Sequence, residues 1–525
     1  MRIKGLMNEH DRIEVRLAIL LILLCVPIIS YLGCSINSSS TSEPRVLARV
    51  EVPGYLEDLN LPVYADFEDA EGTYYALVIA TKRQLDSAGV TYRVVDEYIP
   101  GTKYLIALEE EDGARKEAAD IANVLYDDGE HIIVRYRSEL SELLPDLGFD
   151  LKLMSQTPIN FQPADGANVK SAVSMGPLVF EKNPKVEAML KAVKEEDIKS
   201  LTEKLSGEVQ VTVDGALESL SSRHTYRQGT KVQKATQYVY DRLKVMGLNP
   251  SFAAWTVEYG DGSLSNRNVV GEIKGQSTPE EIVIVIAHLD TISKVNDGIE
   301  PGADDNASGC VALLAAADIM RSYKFKRTVR FVFTTGEEQS LYGGTAYAKN
   351  ADKERQNIVA VLNLDMIGYS KVPDPYVKPK QQIKIRNWKN KTGNAKDLPI
   401  AQIYTKVVNN YDMDAVKKLS DIFEAVIEDD GETTSDHAPF WDLMAECMNR
   451  DPLASCYPAA WVIEYAEKGY LNPNMHTADD RVKIMNLPYY TAVVKAALGT
   501  AAHLAETVDL PAPPSAAFYN PWNSR

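Results

Sequence analysis

Apolar residues along the chain switch repeatedly between short strand-like runs and a helical period. Between about residues 51 and 165, four apolar runs have the length and composition of strands. They are Tyr74–Ala80, Tyr92–Val95, Tyr104–Leu108 and His131–Tyr136. Two stretches look alike, each with a strand, a helix and a second strand that follows a glycine, Gly89 or Gly148. This pattern predicts two βαβ-like units related by a weak internal repeat.

From about residue 205 onwards, longer apolar strands alternate with helices. The predicted strands include Ile282–Ile286, Val329–Thr334, Val359–Leu364 and Trp461–Ile463. The predicted helices include Gln233–Met246, Ala307–Tyr323, Leu341–Lys349, Asp414–Ile427 and Tyr489–Glu506. Apolar strands that alternate with helices are typical of an α/β fold in which a mainly parallel sheet carries helices on both faces.

The first 34 residues have the pattern of an export signal. Basic residues precede an apolar run from Leu17 to Leu32, which is short of the roughly twenty residues needed to span a membrane. The Gly33-Cys34 pair and the serines after it resemble a bacterial lipoprotein signal, in which Cys34 carries the lipid. Tyr31 departs from that pattern, and a plain secretory signal or an uncleaved anchor is the alternative.

These patterns predict a division of the chain into five parts. They are a signal peptide at 1–34, a polar tether at 35–50, an accessory or pro-domain at 51–180, a larger α/β domain at 205–507 and an irregular tail at 508–525. Residues 180–205, rich in Lys and Glu, are expected to connect the two domains. We expect an exported protein of the cell envelope that is held at the membrane by its lipid, with secretion as the alternative.

Composition narrows the possible functions only slightly. The formal net charge of −18 over 525 residues disfavours nucleic-acid binding, because phosphates would be repelled. Cys310 lies in an apolar helical pattern and is expected in the core. In an exported protein Cys447 and Cys456 are permitted to form a disulfide, and two unpaired thiols are the alternative. The sequence does not indicate the oligomeric state.

Metal-binding residue types follow three of the predicted strands directly. His288 and Asp290 come after the first of these strands. Glu337 and Glu338 come after the second strand, and Asp365 comes after the third. Because ligands bind outside the carboxyl ends of the strands in open α/β sheets, we expect these side chains to share one edge of the sheet.

Two loops add further candidates. Asp304 and Asp305 immediately precede a predicted helix, and His476 lies in a polar loop near the end of the domain. Zinc prefers histidine nitrogen and carboxylate oxygen, and two zinc ions that share a carboxylate stabilise the charge that develops during hydrolysis. Each residue alone could be a helix cap, a turn or a surface group. Their combination on consecutive strand ends favours a metal site.

The segment from about Leu205 to Ala505 resembles the co-catalytic zinc aminopeptidases, a family that includes aminopeptidase Y and secreted bacterial leucyl aminopeptidases. Glutamate carboxypeptidase II, the transferrin receptor and glutaminyl cyclase are relatives of that family. The motifs that carry the resemblance occur in family order. They are His288-Leu-Asp290, Pro301-Gly-Ala-Asp-Asp305-Asn-Ala-Ser-Gly309, Gly336-Glu-Glu338, Leu364-Asp365-Met-Ile-Gly368, Ser435-Asp-His437 and His476-Thr-Ala-Asp479.

The resemblance implies a zinc-dependent exopeptidase, most simply an aminopeptidase acting on peptide N-termini with two zinc ions. The implied metal ligands are His288, Asp305, Glu338, Asp365 and His476. Asp305 would bridge the two metals, and Asp290 would orient the ring of His288. Glu337 would bind no metal and would act as general base on a hydroxide that bridges the metals. Asp436 and His437 are expected near the substrate, with a structural role for His437 as the alternative.

Two departures from the family pattern concern the substrate. The chain between Phe440 and Tyr457 is longer than expected, and residues 378–396 contain seven Lys or Arg and no acid. That basic segment is either a solvated loop or a rim that attracts acidic or carboxyl-ended substrates. A carboxypeptidase or dipeptidase of the same fold, a glutaminyl cyclase-like enzyme and a non-catalytic receptor-like ectodomain are the rival interpretations.

Overall fold

The structure, a computed structural model, describes residues 43–508 with several gaps. The gaps are 54–58, 70–72, 110–112, 159–179, 227–230, 260–261, 294–298, 372–377, 387–396, 416, 430, 444–455 and 467–469. The predicted signal peptide 1–34, the first half of the predicted tether (35–42) and nearly all of the predicted tail lie outside the described residues. The chain divides into two units, Met1–Pro44 and Arg45–Arg525, and all elements below belong to the second unit.

A four-stranded antiparallel sheet opens this unit. Its strands are β1 (Arg45–Glu51), β2 (Val63–Glu68), β3 (Tyr74–Thr81) and β4 (Tyr92–Glu97), and helix α1 (Lys82–Ala88) joins the last two. Leu47 and Ala48 are fully buried, and β1 pairs with both β3 and β4. Most of β1 therefore lies inside the stretch that the sequence predicted as a polar tether, because the apolar residues after Arg45 form a central strand.

A second four-stranded antiparallel sheet repeats this arrangement. Its strands are β5 (Tyr104–Glu109), β6 (Val124–Asp127), β7 (His131–Arg135) and β8 (Phe149–Leu153), with helices α2 (Ala114–Ile121) and α3 (Leu140–Asp146). The first sheet has the order β2-β3-β1-β4 and the second has the equivalent order β6-β7-β5-β8. The predicted internal repeat is confirmed. Buried residues of both sheets, Leu47 and Phe67 with Ile106 and Ile133, form one hydrophobic cluster.

Two helices follow, where the sequence predicted a connection. They are α4 (Pro184–Ala192) and α5 (Glu195–Leu205). Their apolar faces, including Met189 and Leu201, are fully buried in the same core as the large sheet described next. The core of the α/β part therefore extends upstream of residue 205. The predicted division into domains otherwise stays a prediction.

The α/β part is built on an eight-stranded sheet with the order β11-β12-β14-β13-β15-β18-β16-β17. Its strands are β11 (Ser251–Tyr259), β12 (Gly262–Ile273), β13 (Thr278–His288), β14 (Arg327–Thr334), β15 (Asn357–Leu364), β16 (Lys380–Lys384), β17 (Glu424–Glu428) and β18 (Ala459–Glu464). The pairs β13·β14, β13·β15, β15·β18 and β16·β17 are parallel. The other three pairs are antiparallel. The predicted mainly parallel sheet is confirmed.

Helices cover this sheet, and a short hairpin lies beside it. The helices are α6 (Val232–Val245), α7 (Ala307–Met320), α8 (Tyr342–Lys353), α9 (Leu398–Asn410) and α10 (Leu487–Ala505), and the hairpin is β9 (Val211–Val213) with β10 (Ala216–Glu218). Nearly every residue of α7 and α10 is buried, so both are central helices of the core. No helix within the described ranges is both long and apolar enough to cross a membrane.

One predicted helix is wrong. Residues Asp414–Ile427 form a turn, a short 3-10 segment and strand β17. The Asp414 carboxylate accepts a hydrogen bond from the backbone of Lys417 at 2.9 Å, and that of Asp421 accepts from Lys418 at 2.8 Å. Such local bonds compete with helix formation, and pairing with β16 provides partners for the backbone of β17. The helix of this region is α9, which lies upstream.

Candidate active site

The carboxyl ends of three adjacent strands, β14, β13 and β15, meet at one edge of the sheet. β13 ends at His288, and β14 runs through Gly336 into Glu337 and Glu338. β15 ends one residue before Asp365. Parallel pairing between these strands brings all three ends together, as the sequence predicted.

The loop before α7 contributes Asp305 to this edge. Asn306 caps the helix by accepting a hydrogen bond from Gly309 N at 2.8 Å, and its side-chain amide donates to Leu364 O at 2.9 Å. A side chain at Gly309 would meet that same carbonyl oxygen at 2.2 Å. The start of α7 is therefore fixed against the end of β15, which positions Asp305 beside Asp365.

The two predicted histidines approach the two oxygens of one carboxylate. Asp305 Oδ1 lies 3.2 Å from His288 Nε2, and Asp305 Oδ2 lies 2.9 Å from His476 Nε2. Asp365 Oδ1 lies 3.1 Å from His288 Nε2, while Glu338 Oε2 lies 3.1 Å from His476 Nε2. The geometry therefore divides into two halves, each with one histidine and one terminal carboxylate, which share Asp305.

Glu337 lies beside the first half. Its Oε2 is 4.0 Å from His288 Nε2, and its backbone N–H donates to Asp290 Oδ1 at 3.4 Å. The other oxygen of Asp290 accepts from the Thr225 hydroxyl at 3.2 Å. His288 Nδ1 lies 3.2 Å from the backbone carbonyl of Asp290 and 3.9 Å from its carboxylate. Asp290 thus supports the imidazole through its carbonyl and Glu337 through its carboxylate.

The electrostatics of this group indicate an excess of negative charge. Burial raises the pKa of Glu337 well above its usual value, and the nearby carboxylates of Asp365 and Glu338 add to the effect. Burial and Asp305 raise the pKa of Glu338 to about 7. Burial lowers the pKa of His288, but Glu337 and Asp365 outweigh it and raise this pKa well above its usual value.

The residues present fit a divalent metal centre. Two sets of residues each bring three potential ligand atoms within 4.8 Å of one another. One set is His288, Asp305 and Glu338, and the other is His288, Glu337 and Asp365. Glu338 Oε1 is buried and has no hydrogen-bond partner among the residues that the structure describes. Imidazole and carboxylate ligands with an orphaned carboxylate oxygen match the donor preference of zinc. Glu337 belongs to one set, so these distances allow it to be either a ligand or a base.

The structure separates the two predicted substrate-contact residues. Asp436 is fully buried, and its Oδ2 accepts a hydrogen bond from the Thr334 hydroxyl at the end of β14. His437 is also fully buried, and its ring stacks on Trp461 with centroids 5.1 Å apart. Burial lowers the pKa of His437 to about 3, so its ring is neutral at physiological pH. Asp436 therefore contacts the end of β14, whereas His437 packs among aromatic rings.

Sequence patterns missed two residues that hold the site in shape. Ser435 donates a hydrogen bond to Asp365 Oδ2 at 2.6 Å. Arg223 is fully buried, and its guanidinium donates to five backbone carbonyl groups. They are those of Leu205, Leu220, Leu289, Pro301 and Gly302. Three of these carbonyls flank His288 or the Asp305 loop. A lone arginine in the polar run Ser221–Thr225 gives no signal of such a role.

Comparison with known proteins agrees with this geometry. Residues 268–501 match the sequence profile of Peptidase family M28. Leucine aminopeptidase 1 of Aspergillus fumigatus is 26% identical over 324 residues, which cover 59% of this chain and 74% of the relative. A probable zinc metalloprotease of Pyrenophora teres f. teres is 36% identical over 114 residues, or 21% of this chain and 24% of the relative.

A solved structure shares the fold. The LapA aminopeptidase of Legionella pneumophila superposes with a TM-score of 0.52 at 20% identity, covering 78% of this chain and 99% of that one. Histidines and carboxylates that meet at the strand ends of a mainly parallel sheet fit a metal-dependent enzyme. The match of residues 268–501 to Peptidase family M28 and the similarity to leucine aminopeptidase 1 support a metallopeptidase that acts on peptides. The family recognised from the sequence and the predicted metallopeptidase are confirmed.

Proposed function

We propose that the chain is a zinc-dependent aminopeptidase that binds two zinc ions. His288 and Asp365 would hold one ion, Glu338 and His476 would hold the other, and Asp305 would bind both. The observation that carries this proposal is the arrangement of Asp305, whose two oxygens lie 3.2 Å and 2.9 Å from different imidazole nitrogens. A carboxylate that faces one histidine with each oxygen is suited to bridge two metals.

Glu337 is the general base of this proposal. When bound, zinc acts as a Lewis acid on the peptide carbonyl and lowers the pKa of water. The Glu337 carboxylate would take a proton from the attacking water and return it to the leaving amine. Burial keeps bulk water away from Glu337, which is 8% exposed, and Asp290 holds its backbone N–H. The side chain can therefore exchange a proton while its backbone stays fixed.

Cleavage at peptide N-termini is favoured over the rival activities by two observations. The most extensive sequence similarity reported above is to a protein named leucine aminopeptidase 1. All five predicted metal ligands are present and close together, which fits neither a one-zinc glutaminyl cyclase-like site nor a receptor that has lost its ligands. Carboxypeptidase or dipeptidase activity of the same fold is the second candidate.

A substrate panel tests this function directly. Purified enzyme is assayed on amino-acid anilides, N-acetylated anilides and N-blocked peptides, after chelation and after zinc is restored. An aminopeptidase cleaves the free anilides only with zinc and leaves the acetylated ones intact. Cleavage of N-blocked peptides from the carboxyl end would instead support the carboxypeptidase. No zinc-dependent cleavage of any member would contradict the proposal.

We also propose that the mature protein is exported and tethered to a membrane through lipid on Cys34. The support is the basic and apolar pattern before Gly33-Cys34 and the serine-rich segment after it. Cys34→Ser should release the protein to a soluble fraction or leave its signal uncleaved, as fractionation and the mass of the N-terminus would show. Normal processing with membrane retention in this variant would refute lipidation.

A further inference from the structure

A group of buried basic and aromatic side chains lies beside the metal site. Its members are Lys152 of β8, Lys384 at the end of β16, His437 and Trp461 of β18. The Trp461 ring stacks on His437, and Lys384 Nζ lies 5.4 Å from the centre of the Trp461 ring. Lys152 Nζ lies 3.5 Å from Asp442, the residue after Trp441, and the Trp441 ring packs edge-on against His437 with centroids 4.3 Å apart. We call these four residues the basic cluster.

The basic cluster is continuous with the proposed metal site. Trp461 packs in one hydrophobic group with Met366 and Met475, which neighbour Asp365 and His476 in sequence. Ser435, two residues before His437, donates its hydrogen bond to Asp365. Trp461 and Lys152 are each 5% exposed and Lys384 is 7% exposed, compared with 6% for Asp305 and 8% for Glu337. These three side chains are thus about as exposed as groups that must reach substrate, whereas His437, the fourth member, is fully buried.

Two donors of the cluster, Trp461 Nε1–H and Lys152 Nζ, are buried and make no hydrogen bond among the described residues. Lys152 Nζ lies 3.5 Å from Oδ1 of Asp442, whose side chain is 28% exposed. Burying an ammonium group and an indole N–H without hydrogen bonds costs free energy, which a bound acceptor would offset.

Arg386, two residues after Lys384, adds another buried cationic side chain close to the basic cluster. Arg386 is 5% exposed, donates to the Trp441 carbonyl at 2.7 Å and lies 3.7 Å from Asp66 of the first N-terminal sheet. Where it is described, the basic segment is divided: Lys378 and Lys380 are exposed, whereas Lys384 and Arg386 are buried. The two buried cations belong to a chain whose formal net charge is −18.

We propose that the basic cluster is a carboxylate-binding subsite of the peptidase, with Lys152, Lys384 and the Trp461 N–H binding a substrate carboxylate. This inference rests on the proposed peptidase function. The carboxylate is either the side chain of an acidic residue next to the cleaved bond or the free C-terminus of a dipeptide, since both present the same group. Lys152 lies in the second N-terminal sheet, so that part of the chain contributes directly to substrate selection.

Two matched substrate pairs test the subsite. Glutamyl and glutaminyl p-nitroanilide differ only in the side-chain carboxylate, while leucyl-glycine and leucyl-glycinamide differ only in the terminal one. The wild-type enzyme should favour the carboxylate member of one pair by roughly 10- to 100-fold in kcat/KM, the usual effect of a hydrogen bond to a charged group. The pair that shows the preference identifies the source of the carboxylate.

Three variants decide whether the cluster causes that preference. Lys152→Met and Lys384→Met should bring the ratio towards one. Trp461→Phe retains an aromatic ring beside His437 and should lower the ratio by about 10-fold, the lower end of the effect of a hydrogen bond to a charged group. Lys116→Met, which changes an exposed lysine of α2, should keep the wild-type ratio. A wild-type ratio near one for both pairs, or a ratio that survives in folded Lys152→Met and Trp461→Phe, overturns the subsite.

A binding measurement separates this inference from the proposed function. Calorimetry with ligands that are not cleaved requires no turnover, and it is done with free glutamate against glutamine and with glycine against glycinamide. The subsite predicts that the wild type binds the carboxylate member of one pair more tightly than its amide and that Lys152→Met loses this difference. If no substrate of either pair is cleaved with zinc, the proposed function fails and calorimetry alone decides the subsite. If neutral anilides are cleaved but neither carboxylate ligand binds more tightly than its amide, the subsite fails and the function stands.

Discussion

Exchanging each member of the Glu337-Glu338 pair for glutamine should produce two different defects. Glu337 Oε2 is 4.0 Å from His288 Nε2, whereas Glu338 Oε2 is 3.1 Å from His476 Nε2. Glu337→Gln keeps the shape and the backbone bond to Asp290 but cannot accept a proton. Positioned bases are worth roughly 10²- to 10⁴-fold in rate, so the barrier should rise by about 3–5 kcal/mol while two zinc ions remain bound.

Glu338→Gln removes a charged oxygen from the half of the site that contains His476. We expect this variant to lose metal affinity and to regain part of its activity when zinc is added in excess. Zinc per chain is measured by elemental analysis after dialysis, and kcat is measured on a neutral anilide. The reverse pattern, with Glu337→Gln losing metal and Glu338→Gln keeping it, would exchange their roles. Full activity of Glu337→Gln would refute the mechanism.

Two further predictions concern the framework. Arg223→Met leaves five buried carbonyl groups without their donor and should lower the free energy of unfolding, measured by urea titration, by about 3–5 kcal/mol. The control variant Arg321→Met should change this free energy by less than about 0.5 kcal/mol. A loss below about 1 kcal/mol in Arg223→Met would contradict the role of Arg223. Burial raises the pKa of Asp96, but hydrogen bonds from Arg135 and Tyr104 outweigh it and leave the pKa below its usual value. Asp96→Asn should therefore cost about 1 kcal/mol near pH 7, a modest figure because Arg135 is half exposed. The cost should begin to fall as the pH drops below about 4 and should disappear only when the pH is below the lowered pKa of Asp96. Hydrogen exchange of β5 and β7 measures this difference, and an equal cost at both pH values would contradict it.

The sequence predicts the fold best where burial alone determines the pattern. β13, β14 and β15 are apolar runs within a parallel sheet, and their predicted positions are correct to within a few residues. Strand β17 was missed because Glu424–Glu428 alternates weakly and forms a strand only through its pairing with β16. The missed helix α9 has buried Ile400, Ile403, Tyr404 and Val407 at helical spacing, a signal that the sequence does contain.

The candidate site also contains residues whose positions the sequence could predict and residues whose positions it could not. His288, Glu337 and Asp365 come directly after apolar strands, so their meeting at one edge could be predicted. Arg223 and the stack of His437 on Trp461 could not, because they depend on how distant loops and the antiparallel pairing of β16 with β18 come together. Charge in the sequence was also a poor guide to exposure, since Lys384 and Arg386 are buried.

Anomalous diffraction at the zinc edge tests the central claim most directly. Crystals of the zinc-loaded enzyme should show two anomalous peaks, about 3.5–4 Å apart, one near each oxygen of Asp305. His288 and Asp365 should contact one peak, His476 and Glu338 the other, and Glu337 neither. A single peak at full zinc loading, or a peak held by Glu337 in place of Asp365, would contradict a two-zinc site bridged by Asp305.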